Sequence, residues 1–297
     1  MLRPLLLLLA LGGLAVRMGR GQATFLPQVD PVETNAVRLE IHAGNKLQTL
    51  AATVNGVPCT LLFDTGAALT TFDRAFISRA FPEMPLTPIT FNGKSNVRQQ
   101  PELFPIESLQ VGKAQLRDFM GVALPLEHLS QAVGTQIDGI LGLNAMAYAP
   151  FRLSLKHATV TWAPEDAQPP TGVPLPILPA NQPWDLLMAI PELKKPDGTT
   201  IRPPLLIDSG STFTFLSEAL WPASDEQVDL SATDVNATAQ VQFKRGQRAT
   251  MCLEGPRELT FTPLLTRQAH VQLGADFLME HDLWVDVKTR RVRVEVP

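Results

Sequence analysis

One seven-residue phrase is written twice in this chain, and it constrains what the chain can become more than any other feature. The first copy reads Leu61-Leu62-Phe63-Asp64-Thr65-Gly66-Ala67, the second Leu205-Leu206-Ile207-Asp208-Ser209-Gly210-Ser211. Each is followed by a Leu-Gly pair, in Asp138-Gly139-Ile140-Leu141-Gly142-Leu143 and in Val271-Gln272-Leu273-Gly274-Ala275. Gly142 lies 78 residues after Asp64, and Gly274 lies 66 after Asp208. The same events in the same order at similar spacing mark an internal duplication. A single Asp-Thr-Gly is weak, since Asp and Gly favour turns anywhere. Two, each with its Leu-Gly, far exceed chance.

The rest of the chain supplies strand signals around the two copies. Val37-Arg38-Leu39-Glu40-Ile41 and Val292-Arg293-Val294-Glu295-Val296 alternate apolar and polar residues, the period of a half-buried strand. Thr53 to Pro58 reads as a strand turning through Asn55-Gly56 into the next strand, Cys59 to Phe63, the preferred chemistry of a two-residue hairpin turn. Lys195-Pro196-Asp197-Gly198-Thr199 makes a similar turn before Leu205-Leu206-Ile207. Helical stretches are expected to be short, the best being Asp73 to Ala80 and Ser217 to Trp221. The fold class is all-β. A Pro-rich stretch, residues 164–183, resists regular structure and reads as a connector between a first unit, 24–163, and a second, 184–297.

The repeated phrase suits one kind of chemistry. The apolar residues before each Asp anchor a loop in the core and hold a carboxyl at the end of a buried strand. Gly66 and Gly210 permit backbone angles that a Cβ obstructs and let two loops approach. Thr65 and Ser209 offer hydroxyls that can bond across to the opposite loop, and Ser211 adds a third. Two carboxyls brought to about 3 Å cannot both ionise cheaply and share a proton. Such a pair activates a water held between them, with one member as base and the other as acid. Asp64 and Asp208 are the candidate catalytic residues; Thr65, Gly66, Ser209, Gly210 and Ser211 are the candidate supports.

At these residues the chain resembles the pepsin-like aspartic proteases, with local similarity to retropepsin-like enzymes in Leu273-Gly274-Ala275-Asp276-Phe277-Leu278. The resemblance runs from about Val37 to Val296, with some thirty specific positions. It implies a bilobal acid-protease fold, two pseudo-symmetric β lobes with a catalytic cleft between them, and an extended polypeptide as substrate. It implies aspartic endopeptidase activity, or, as a rival, a catalytically inactive binding or inhibitor protein using the same cleft.

Three departures from the family pattern carry expectations of their own. Ala67 stands where such first lobes have Ser or Thr, which removes a hydroxyl from the carboxyl's surroundings and raises the pair's first pKa. The only tyrosine, Tyr148, follows the Gly142 motif, so a cover over the cleft falls instead within Ile89 to Gln100, with Phe91, Asn92 and Gly93 as candidates; the same residues also describe an ordinary hairpin. Only 41 residues separate Ala23 from Asp64, and Thr24 to Asn35 has no Lys or Arg. A long basic prosegment is therefore not expected.

The remaining features bound location and partners. Met1-Leu2-Arg3-Pro4 carries one positive charge, an apolar run extends from Leu5 to Val16, and Gly21 and Ala23 suit cleavage after Ala23. Residues 1–23 form the three-part pattern of a secretory signal peptide, with an uncleaved anchor as the alternative. The chain is expected to be exported, secreted or periplasmic, with a lean towards bacteria, a monomer, and not stably inserted in a membrane. A net charge of -4 and pI near 5.8 give no reason to expect nucleic acid. His42, His128, His157, His270 and His281 are dispersed without metal-ligand spacing, so neither metal nor cofactor is expected. Cys59 and Cys252 permit one disulfide but read better as two separate buried thiols.

Overall fold

The computed structural model describes residues 24–30, 33–89, 100–233, 238–255, 257–267 and 271–295. The expected leader, 1–23, and the expected cover residues Phe91, Asn92 and Gly93 lie outside them. The described residues are mostly β, in sheets of nine, six, seven and four strands. Their helices are short, the longest being Arg74–Ala80 and Glu127–Val133.

The first hairpin forms as its turn chemistry requires. Gln48–Val54 pairs antiparallel with Val57–Phe63, and Val54 faces Val57 across the turn. Asn55 and Gly56 both adopt positive φ, 44° and 81°, the left-handed pair that Asn-Gly tolerates best. The Asn55 side chain also accepts from the N–H groups of Glu107 and Ser108, at 2.9 and 3.0 Å. The turn is thereby pinned to the Glu102–Val111 strand. The second turn forms too, with Gly198 at φ 85° joining Glu192–Lys194 to Thr200–Ile201. Those strands, however, belong to the four-stranded sheet. The antiparallel neighbour of Leu205–Ile207 is Met188–Ala189 instead.

Around each Asp the strands pair by one scheme. Val57–Phe63 runs parallel to Gly139–Leu141, which runs antiparallel to Thr71–Asp73. Leu205–Ile207 runs parallel to Gln272–Leu273, which runs antiparallel to Phe215–Ser217. Thr71–Asp73 and Phe215–Ser217 each take a further parallel neighbour, Ala114–Leu124 and Leu264–Thr266. Leu61, Leu62, Phe63, Leu205 and Ile207 are fully buried, each contributing about 1.5–3 kcal/mol by leaving water.

Of the two expected helices one forms. Asp73 caps Arg74–Ala80 by accepting from the Phe76 N–H, and its other oxygen accepts from Leu126 N at 2.8 Å. Ser217 to Trp221 is a single turn, in which the N–H groups of Leu220 and Trp221 both reach the Ser217 carbonyl at 3.0 Å. Pro222 follows, and the residue before a proline is driven out of helical angles.

The six-stranded sheet takes its strands from both halves. Its order is Val173–Leu175, Arg291–Val294, Leu283–Asp286, Phe151–Ser154, Thr159–Trp162 and Asn35–Arg38. Val173–Leu175 comes from the Pro-rich segment and lies at the sheet edge, where Pro174 needs no donor. Both cysteines are free thiols. Burial pushes the Cys59 thiol up to about 12, which keeps it protonated and unreactive; Cys252 is half-buried.

Candidate active site

Each Asp leaves its strand with its backbone tied to the leucine of the second motif. Asp64 N–H donates to the Leu141 carbonyl at 3.2 Å, and Asp208 N–H to the Leu273 carbonyl at 3.0 Å. The chain then turns, and the Gly that follows each leucine lets the loop cross closely. A Cβ on Gly142 would strike the Leu69 backbone, and one on Gly274 the Phe213 backbone. Leu143 N–H and Ala275 N–H reach back to the carbonyls of Ala67 and Ser211, at 2.8 and 2.7 Å.

The result is that Asp64 and Asp208, both fully buried, lie with their carboxyls in hydrogen-bonding contact. Gly66 and Gly210 are what permit it. A Cβ on Gly66 would collide with the Asp208 carboxyl, and one on Gly210 with the Asp64 carboxyl. Neither glycine has a positive φ. Of the two reasons expected for these glycines, unusual backbone angles and close approach, only close approach applies.

Thr65 and Ser209 bind the loops together reciprocally. Thr65 Oγ1 donates to the Ile207 carbonyl at 2.8 Å and accepts from Ser209 N–H at 3.0 Å. Ser209 Oγ donates to the Phe63 carbonyl and accepts from Thr65 N–H, both at 3.0 Å. Thr65→Val keeps the shape and removes two of these bonds, leaving a buried carbonyl and a buried N–H unmatched. It is expected to cost about 2–6 kcal/mol, at about 1–3 kcal/mol per orphaned group, measured by urea unfolding. A loss below 1 kcal/mol would refute the brace.

The electrostatics of the pair follow from burial. Desolvation is the largest influence on both acids, and it pushes each well above the usual carboxylate range. At Asp64 it is opposed first by Gly66 N–H, which donates to Oδ1 at 2.7 Å. At Asp208 the charge of Asp64 adds to desolvation. Among the described residues no side-chain donor reaches Asp64 Oδ2 or either Asp208 oxygen, and the backbone N–H groups of Gly210 and Ser211 lie towards the acids without completing a bond to those atoms. A proton carried by one acid is what can join them, and the two titrate as a unit. The charge is better accommodated on Asp64, the proton on Asp208.

The hydroxyl effect expected of Ala67 finds no counterpart in the second copy. Ser211, the corresponding residue of the second copy, donates its hydroxyl to the Phe213 carbonyl at 3.0 Å and accepts from Gln272 Nε2 at 2.5 Å. It supports its loop and not the carboxyl, so Ala67 deprives Asp64 of nothing that Ser211 gives Asp208. Burial raises the pair.

A further repeated pair went unread. Thr70 and Thr214 each stand six residues after the Asp, and Asn144 and Asp276 two after the Gly. Thr70 Oγ1 donates to Asn144 Oδ1 at 2.8 Å and accepts from Gly142 N–H at 3.2 Å. Thr214 Oγ1 donates to Asp276 Oδ1 at 2.7 Å and accepts from Gly274 N–H at 3.0 Å. Extending the alignment of the two copies by a few residues would have found them. Gln48 was also missed, being a lone polar residue with no partner in the repeat. Away from the pair, Asp282 binds Arg152 at 2.6 Å, while His281 packs on Phe277 with ring centroids 4.6 Å apart.

Comparison with known proteins defines the fold first. Soybean basic 7S globulin superposes with a TM-score of 0.54 at 11% identity, over 89% of this chain and 95% of the globulin. Conglutin gamma, a basic 7S globulin from lupine seeds, gives 0.54 at 13%, over 90% and 96%. At such identity the likeness speaks for the chain path alone. A second comparison is by sequence: the aspartyl protease family model matches residues 50–145, about a third of the chain, which contain the first triplet and the first Leu-Gly. That match supports an aspartic-protease-like family and peptidase chemistry. No curated protein matches the chain.

Proposed function

We propose that this protein is an aspartic endopeptidase of bilobal, pseudo-symmetric design, each half supplying one acid of the pair Asp64 and Asp208. The observation that carries the reading is the meeting of two fully buried carboxyls, from loops 144 residues apart at Thr65 and Ser209. Water bound to the pair gives a proton to Asp64 while Asp208 gives its own to the scissile carbonyl oxygen. The water oxygen forms the new C–O bond. Collapse of the tetrahedral species breaks the C–N bond: the proton taken by Asp64 goes to the leaving nitrogen, and one hydroxyl of the diol returns a proton to Asp208 as the new C=O forms. The lobes are residues 24–163 and 184–297, joined by 164–183. The protein is exported after loss of residues 1–23, acts as a monomer, and takes polypeptide in extended form.

The test is direct. The full chain should cleave an internally quenched hydrophobic peptide and be blocked by a pepstatin-type inhibitor. Because burial raises both acids, the pH–rate profile should peak well above pH 3. No cleavage anywhere between about pH 3 and 8 would defeat the reading. A second reading, a protein that binds peptide in the same cleft without cleaving it, draws on the names of the two matched structures, which are globulins. Saturable binding of the intact peptide without turnover would favour it.

A further inference from the structure

We infer that Gln48 is a positioning residue: it holds the Ser209–Gly210 peptide so that the Gly210 N–H is aimed at the carboxyl pair, and so sets the pH at which the pair ionises. For its kinetic consequence the inference rests on the proposed catalytic reading; for its titration it does not.

Gln48 opens the Gln48–Val54 strand and is fully buried. Both hydrogens of its amide are committed. Nε2 donates to the Phe63 carbonyl at 2.7 Å and to the Ser209 carbonyl at 2.7 Å. Phe63 immediately precedes Asp64, and Ser209 immediately follows Asp208, so one side chain spans both loops. A peptide unit is planar and trans, so its C=O and N–H point in opposite directions. Fixing the Ser209 carbonyl towards Gln48 therefore turns the Gly210 N–H to the opposite side. The Asp64 carboxyl lies close against Gly210, since a Cβ there would run into it, and the Gly210 N–H bears on both acids. The Gly210 N–H favours the charged form of both acids. The other groups bearing on the pair are the two acids themselves and the N–H groups of Gly66, Ala67 and Ser211.

The duplication supplies an internal comparison. Thr49 faces Leu62 in the first half, and Met188 faces Leu206 in the second. The residue before each is Gln48 in one half and Leu187 in the other. Leu187 is also fully buried, but it has no donor to offer the Thr65 carbonyl. A leucine thus does the packing at this position. The amide adds a cost instead, because Gln48 Oε1 is buried without a donor among the described residues. Packing does not account for a glutamine here; the hold on the Ser209 carbonyl does.

The experiment is a carboxyl 13C NMR titration of the full chain labelled at aspartate, for the parent and for Gln48→Leu. Losing an N–H aimed at the charged form makes ionisation harder, so the lowest pair pKa should rise by about 1 unit. The acidic limb of kcat/KM should move the same way, with kcat down about 10-fold and KM within about 2-fold. If the parent cleaves nothing but the NMR shift appears, the catalytic reading fails and the positioning role stands. If the Gln48→Leu titration overlays the parent's, the inference is overturned, whatever happens to Tm. Gln48→Met, unbranched and of similar length, is read identically should the leucine variant not fold. In the parent itself the Gly210 amide proton must shift along the pair's titration; a flat Gly210 response also overturns it.

Discussion

Asp208→Asn should lower kcat by about 10⁴-fold, the upper end of what a positioned acid or base contributes, and Asp64→Asn should do the same. Both variants should stay folded, because Asn fills the same space without a charge. The stability change has a definite sign with pH. Each acid is raised in the folded chain, so above the ordinary carboxylate pKa of about 4 the folded form holds protons that the unfolded form has released. Stability of the parent therefore falls as pH rises from there through the raised values. Asparagine does not titrate, so the Asp208→Asn protein should equal the parent near pH 3 and exceed it increasingly towards pH 8. Urea unfolding at several pH values measures this. Full turnover in either variant would move the chemistry elsewhere; a stability difference independent of pH would mean Asp208 is not the raised acid.

Gly210→Ala should both destabilise the fold and separate the two acids. Its methyl would occupy the space of the Asp64 carboxyl, and the four bonds that Thr65 and Ser209 make across the loops prevent them from parting to make room. Overpacking of this kind costs about 1–3 kcal/mol and sometimes more, and the acids cannot keep their contact. Gly66→Ala, against Asp208, should behave alike. Gly44→Ala is the control, since a Cβ there meets nothing within 4 Å and the backbone is not left-handed. It should fall within about 0.5 kcal/mol of the parent. A Gly210→Ala protein as stable and active as the Gly44→Ala protein would mean that the two loops do not approach as described.

What could be read in advance was whatever occurred twice or depended on neighbours in sequence. Asp64 and Asp208, with their Thr65 and Ser209 braces, were legible because the repeat singled them out. The Asn55-Gly56 turn was legible because it is local chemistry. Gln48 was not, because its partners, Phe63 and Ser209, lie 15 and 161 residues away and its counterpart, Leu187, gives no hint. Ser211 was legible as a support but not in its role, since its hydroxyl is claimed by Gln272 from a different strand. The turn at Ser217 to Trp221 was misread through composition, with Pro222 undervalued. The Lys195–Thr199 turn was found, yet the strand beside Leu205–Ile207 proved to be Met188–Ala189. Sequence patterns mark where a strand is; its neighbour across the sheet is decided by the whole chain.

The six-stranded sheet has a consequence for when this protein becomes complete. Its members are drawn from residues as early as Asn35 and as late as Val294, and Phe151–Ser154 from the first half hydrogen-bonds to Leu283–Asp286 from the second. During synthesis the Phe151–Ser154 edge stays unmatched until Leu283–Asp286 has been made. A product that ends before Leu283 is left with a raw sheet edge, and one that ends before Asp208 also with an acid lacking its mate, so assembly itself withholds the chemistry from fragments.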